Sequence, residues 1–323
     1  MEDRIMDIPS LTLIMRDYDC LAPLYGGDVA PQGIRLTLDR TTPITQAYAD
    51  PTIVASELSF SRFLIGLSRD ERSFVGIPFF PTRAFRHRCF YMHRGRPLAS
   101  IKELEGKRVG TNSWPDTGNT WTRAILRDHG VRIDRIDWWV GPVDEKYPQR
   151  PQSGLPPFVK EAGGRMLRDM LLDGDLDALM CPFPPQGFYD AGSPIVRLIP
   201  DYRAAEREYY ARKGIYPAHH IVGLRRETFE RAPHVAVAIY QALDRARILW
   251  QQRRLFMAEL TPWTLAEIED TMATLGADWQ PSGVTANARV IAALCEEELA
   301  QGLIDRPLDP STVFAEFDAV MKT

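Results

Sequence analysis

Three arginines and a histidine follow directly on an apolar run in Gly76-Ile77-Pro78-Phe79-Phe80-Pro81-Thr82-Arg83-Ala84-Phe85-Arg86-His87-Arg88. Glycine and proline punctuate the run, so it reads as a short buried strand ending in a cationic loop rather than as a helix. Guanidinium groups at Arg83, Arg86 and Arg88 offer planar forks of donors matched to a carboxylate or phosphate, and His87 can move a proton near neutral pH. The plainer alternative is a solvated basic loop forming surface ion pairs. Two further groups have proton-transfer chemistry: Glu57, in Ser56-Glu57-Leu58-Ser59, and His220, in Pro217-Ala218-His219-His220. Each also has a structural alternative. Glu57 would cap or pair at the start of a helix after Ser56, His220 would be satisfied by backbone groups, and for His219 that structural role is the favoured one.

The elements that must position these groups alternate. Strand-like stretches at Ser10–Tyr18, Gly33–Leu38 and Thr52–Ala55 precede a helical pattern over Phe60–Leu67 and another strand at Cys89–His93. A second series follows, with helices over Thr117–Asp128 and Val159–Leu172 and strands at Ile136–Val140 and Ala178–Met180. Strands alternating with helices imply largely parallel sheets with helices on their faces. Between the members of the second series, Pro142–Pro157 reads as an irregular loop. We therefore expect an α/β fold of two lobes with two crossings and a helical C-terminal region. Residues 1–110 and 221–323 would form the first lobe and 111–220 the second, with a ligand cleft between the lobes that closes by hinge motion. In such sheets ligands lie beyond the carboxyl ends of the strands, where Glu57, Arg83–Arg88 and the 111–120 segment all fall. At a helix start Ser59 would either donate to a carboxylate or cap, and Thr117, Asn119 and Thr120 invite the same two readings. Trp121 would stack on an aromatic ring or belong to the core.

Composition excludes several classes. A chain of 323 residues with 45% hydrophobic and 25% charged residues is an ordinary globular composition, neither disordered nor membrane-embedded. The net charge of −4 gives no reason to invoke nucleic acid or an acidic membrane surface. Acids in Met1–Asp7 stand where a secretory signal needs bases, which points to a cytoplasmic protein. Cys20, Cys89, Cys181 and Cys295 are dispersed, without a C-x-x-C pair, so they read as buried thiols. No spacing of His, Cys, Asp or Glu matches a standard metal motif, and the arginines would repel a cation, so we expect no cofactor, with a divalent metal as the alternative. The C-terminal helices carry apolar faces that would serve a homodimer or simply pack on the first lobe.

At these residues the chain resembles the 4,5-dihydroxyphthalate decarboxylase family, whose fold is that of type 2 periplasmic substrate-binding proteins. The resemblance spans most of the chain and rests on Asp17-Tyr18-Asp19, Glu57-Leu58-Ser59, Ile77-Pro78 through Phe85-Arg86-His87, Gly106-Lys107-Arg108-Val109-Gly110, Thr117 through Trp121 with Arg123, and Pro217-x-x-His220. It departs at Met15-Arg16, before Asp-Tyr-Asp, and at Trp114-Pro115-Asp116. The resemblance implies a decarboxylase acting on a hydroxylated aromatic dicarboxylate, most simply 4,5-dihydroxyphthalate, to give 3,4-dihydroxybenzoate and CO2. Arg83 and Arg86 would then clamp the retained carboxylate, His220 would donate a proton to the ring carbon, and His87 or Glu57 would handle the phenol proton. The competing readings are a solute-binding protein for a small aromatic carboxylate and a decarboxylase of a related phthalate.

Overall fold

The structure, a computed structural model, describes residues 9–147, 155–256 and 261–322. The acidic Met1–Asp7 stretch and the centre of the expected Pro142–Pro157 loop lie outside the described residues. In chain order the first elements are β1 (Ser10–Ile14), α1 (Ala22–Tyr25), β2 (Arg35–Asp39), β3 (Ala55–Ser59), α2 (Phe60–Ser68) and β4 (Phe74–Ile77). There follow β5 (Phe90–His93), β6 (Arg108–Thr111), α3 (Thr117–Asp128), β7 (Asp137–Val140), β8 (Val159–Glu161), α4 (Leu167–Asp173), β9 (Ala178–Met180), β10 (Ile195–Arg197) and α5 (Tyr202–Lys213). Strand β11 (His220–Arg225) leads into the helices α6 (Arg226–Arg231), α7 (His234–Phe256), α8 (Thr264–Leu275), α9 (Val284–Ala300) and α10 (Ala315–Met321). Among the described residues no helix is long and apolar enough to cross a membrane.

These elements form two compact units. Unit 1 comprises Met1–Arg83, Ala218–Ala292 and Leu308–Thr323, and its sheet has the order β2-β1-β3-β11-β4. The strands β2, β1 and β3 run parallel, while β11 enters antiparallel between β3 and β4. Its core joins Val75, Ile77 and Val222 of the sheet to Val235, Ile239 and Leu243 of α7, which recur at four-residue spacing and so present one apolar stripe. Unit 2 comprises Ala84–Pro217 and Ala293–Pro307, with the sheet order β10-β5-β9-β6-β7-β8. Its core gathers Val109, Trp138 and Val140 of the sheet with Ile125 and Leu126 of α3.

Three expectations change. The first crossing lies at Arg83/Ala84, not at residue 110, because β5 hydrogen-bonds to β9 and β10 and so belongs to the second sheet. Residues 293–307 likewise leave the first lobe for unit 2, where the buried Arg123 of α3 donates from Nε to Gln301 at 2.7 Å. The helix expected over Val159–Leu172 is a strand and a separate helix. Gly163 and Gly164, with φ of 61° and 85°, hold a left-handed link between β8 and α4 that no continuous helix tolerates. The crossing segments at Arg83 and Ala218 form a β-bridge, and the His219 N–H donates to the Thr82 carbonyl.

Candidate functional site

Glu57 sits inside β3, not at a helix start, and it is Ser59 that caps α2 by accepting from the Arg62 N–H. In the antiparallel pairing of β3 with β11, Val222 lies opposite Glu57 and His220 opposite Ser59. Residues two apart on one strand share a face, so His220 is the diagonal neighbour of Glu57. Its Nδ1 hydrogen-bonds to Glu57 Oε1. Strand β1 runs parallel to β3 with Ile14 beside Ser56, so the chain leaving β1 passes the Glu57 carboxylate. There the Arg16 N–H donates to Oε2 at 2.9 Å and the Tyr18 hydroxyl to Oε1 at 2.6 Å.

Glu57 has no solvent exposure. Burial pushes its pKa up, but the hydrogen bonds and charge of His220, with those of Tyr18 and the Arg16 N–H, outweigh burial and hold the carboxyl below its usual range. An anionic Glu57 requires a proton on His220 Nδ1, which leaves Nε2 as the ring nitrogen that can give or take a proton. Burial, and then the Glu57 charge, raise the Tyr18 phenol, which stays a donor. The arrangement is a carboxylate-oriented imidazole, suited to general acid–base work. With Oε1 engaged by His220 and Tyr18 and Oε2 by the Arg16 N–H, Glu57 orients the His220 ring.

The other expected residues divide between roles. Arg83 is buried, and its Nη2 donates to Asn287 Oδ1 and to the Pro281 carbonyl at 2.9 Å. Its guanidinium thus ties the crossing to the start of α9. His87 is buried against Tyr209, with ring centroids 5.3 Å apart, and desolvation pulls its pKa to about 4, so it is neutral at pH 7. Its Nδ1 meets no hydrogen-bond partner among the described residues. His219 is buried, and its carbonyl accepts from the Phe60 N–H at 3.0 Å.

In unit 2 the helix α3 spans the interval expected from sequence. Asn119 Nδ2 donates to Asn112 Oδ1 at 3.2 Å and to the Ser113 carbonyl at 2.6 Å, fastening the loop that precedes the helix. The Thr120 hydroxyl donates to the Asp116 carbonyl at 3.4 Å, Thr117 is buried, and Trp121 belongs to the core. The half-buried Arg86 lays its guanidinium against the first turn of α3 at Gly118, with Nη1 3.9 Å from Cys89 Sγ. Burial lowers its pKa from the usual arginine value. Among the described residues no three His, Cys, Asp or Glu side chains come together as a metal-binding group.

Sequence reading missed Tyr18 as a partner of Glu57 and Asn287 as the partner of Arg83. For Tyr18 the available signal was its position just past the carboxyl end of a parallel strand. For Asn287, 204 residues from Arg83, there was none.

No family model matches the chain. A 4,5-dihydroxyphthalate decarboxylase of Comamonas testosteroni is 29% identical over 318 residues, covering 94% of this chain and 96% of that protein. The chain is a relative of the 4,5-dihydroxyphthalate decarboxylases. A second decarboxylase of that name, from Pseudomonas putida, is 28% identical over 217 residues, covering 65% of this chain and 84% of that protein. Among solved structures, the periplasmic aliphatic sulphonate binding protein SsuA of Escherichia coli has a TM-score of 0.52 at 13% identity and covers 95% of this chain and 91% of its own. A DSZB mutant in complex with biphenyl-2-sulfinic acid has a TM-score of 0.51 at 16% identity, over 98% and 99% of the two chains. These likenesses concern the fold, which in this relative of the decarboxylases is the two-lobed α/β fold of type 2 periplasmic binding proteins.

Proposed function

We propose that the protein is a carboxy-lyase that removes one carboxyl group, as CO2, from 4,5-dihydroxyphthalate and yields 3,4-dihydroxybenzoate. The observation that carries the reading is the imidazole of His220, oriented through Nδ1 by a buried, ionised Glu57. The two relatives named for this reaction supply the substrate class.

Each carboxylate of that substrate is para to a hydroxyl, whose electrons can be pushed toward the carbon bearing the carboxylate. In our reading Nε2 of His220 gives a proton to that ring carbon. The bond to the carboxylate then breaks, its electron pair returns to the ring and restores aromaticity, and CO2 leaves. Loss and recovery of the phenol proton cancel over the cycle, so the net proton consumed is the one His220 supplies. Arg86 binds the retained carboxylate, for which a planar guanidinium offers two parallel donors. The residues so assigned need no metal.

Purified, chelator-treated protein incubated with 4,5-dihydroxyphthalate should release CO2 and 3,4-dihydroxybenzoate in equal amounts. Tight binding of the unchanged acid would instead make the protein a solute-binding protein. Recovery of turnover only after a divalent cation is restored would overturn the metal-free mechanism.

A further inference from the structure

Gly118 occupies the second position of α3, in the first turn of the helix. Its φ is not left-handed, so backbone geometry does not require glycine there. Space does. A Cβ on Gly118 would lie 3.0 Å from Nη2, 3.2 Å from Cζ and 3.4 Å from Nε of Arg86, closer than carbon and nitrogen atoms ordinarily pack. Three atoms of one guanidinium at nearly equal distance mean that its plane lies flat on the bare Cα. At most other described glycines an added Cβ meets either open space or an apolar side chain, while at Gly174 it would meet the Arg96 guanidinium at 3.3–3.6 Å.

We infer that Gly118 is a positioning residue for Arg86: its missing side chain is the seat that sets the plane and depth of the carboxylate-binding guanidinium. The inference rests on the proposed role of Arg86 in substrate recognition. A bidentate carboxylate contact depends on the plane of the fork as well as its position. A methyl group at Gly118 meets a guanidinium that also keeps a contact from Nη1 to Cys89 Sγ at 3.9 Å. It must displace the guanidinium by tenths of an ångström and tilt it. Misplacement on the 1 Å scale costs on the order of a hundredfold in enzymes, so a smaller shift is expected to cost about tenfold.

The test titrates 3,4-dihydroxybenzoate, which cannot turn over, calorimetrically into wild type, Gly118→Ala, Arg86→Ala and the double variant, alongside steady-state CO2 release from 4,5-dihydroxyphthalate. Gly118→Ala should weaken binding and raise KM about tenfold, with a much smaller change in kcat and no loss of thermal stability. In the Arg86→Ala background the same substitution should change affinity less than twofold, since the group it displaces is gone. Unchanged affinity in Gly118→Ala, or an equal loss with and without Arg86, overturns the inference while leaving the decarboxylase reading intact. Absence of both binding and turnover in wild type sinks the two together. Should Gly118→Ala fail to fold, folding of the double variant supports the contact, and failure of both overturns it.

Discussion

Glu57 is a carboxylate without solvent, and three donors keep it ionised: His220, Tyr18 and the Arg16 N–H. Because its folded pKa lies below the ordinary value, its contribution to stability is present above about pH 4.3 and is lost as pH falls through the depressed value. Replacing His220 by glutamine keeps a hydrogen-bonding group beside Glu57 but removes the imidazole. We expect kcat to fall on the order of 10²- to 10³-fold with KM within about threefold, read from CO2 release. Tyr18→Phe should lower stability by about 1.5–3 kcal/mol, the range for a hydrogen bond to a charged group, and lower kcat less than the His220 change. A Tyr18→Phe variant with full stability would mean that the phenol contributes nothing to holding the carboxylate.

At the scale of elements, the pair exists because β11 is threaded antiparallel between β3 and β4 and so brings His220 diagonal to Glu57. Side-chain packing across these strands depends on Gly223, where an added Cβ would fall 2.4 Å from Leu58 Cδ1 and 3.2 Å from Phe74 Cδ1. Leu58 is fully packed beneath the sheet and cannot retreat without disturbing its neighbours. Gly223→Ala should therefore cost about 1–3 kcal/mol, visible as a lower urea midpoint at unchanged slope. A smaller change would mean that Leu58 has a second rotamer the packing tolerates.

At the scale of the molecule, two buried groups link stability to distant parts of the chain. Arg123 carries its charge with no exposure; burial pulls its pKa to about 9, and it is held by Gln301, by the Trp114 carbonyl at 2.8 Å and over the Trp114 ring at 4.0 Å. Gln301→Ala removes a partner of that charge and should destabilise by about 2–4 kcal/mol in thermal or urea unfolding. His87 sets a pH dependence. Its folded pKa of about 4 lies below the ordinary value of about 6.5, so the unfolded chain takes up a proton between those limits that the folded chain refuses. Stability should fall as pH drops from about 6.5 to 4, by about 3 kcal/mol at most, and level off below. His87→Phe keeps a ring against Tyr209 and should flatten that slope; an unchanged slope would place the titration elsewhere.

The sequence by itself determined the α/β class, the interval of α3, the apolar stripe of α7, and the residue types that do chemistry, because periodicity and side-chain identity are local properties. Glu57 and His220 stood out by residue type as candidates for proton transfer, and Arg86 as a candidate anion ligand. What tertiary structure decided is which groups meet. It paired Glu57 with His220 across 163 positions and made the carboxylate an orienting group, and it bound Arg83 to Asn287. It buried His87 as a neutral ring and assigned β5 and residues 293–307 to unit 2. Such contacts follow from strand order and register, which depend on pairings between distant segments, and a local pattern does not specify which distant segment completes a pair.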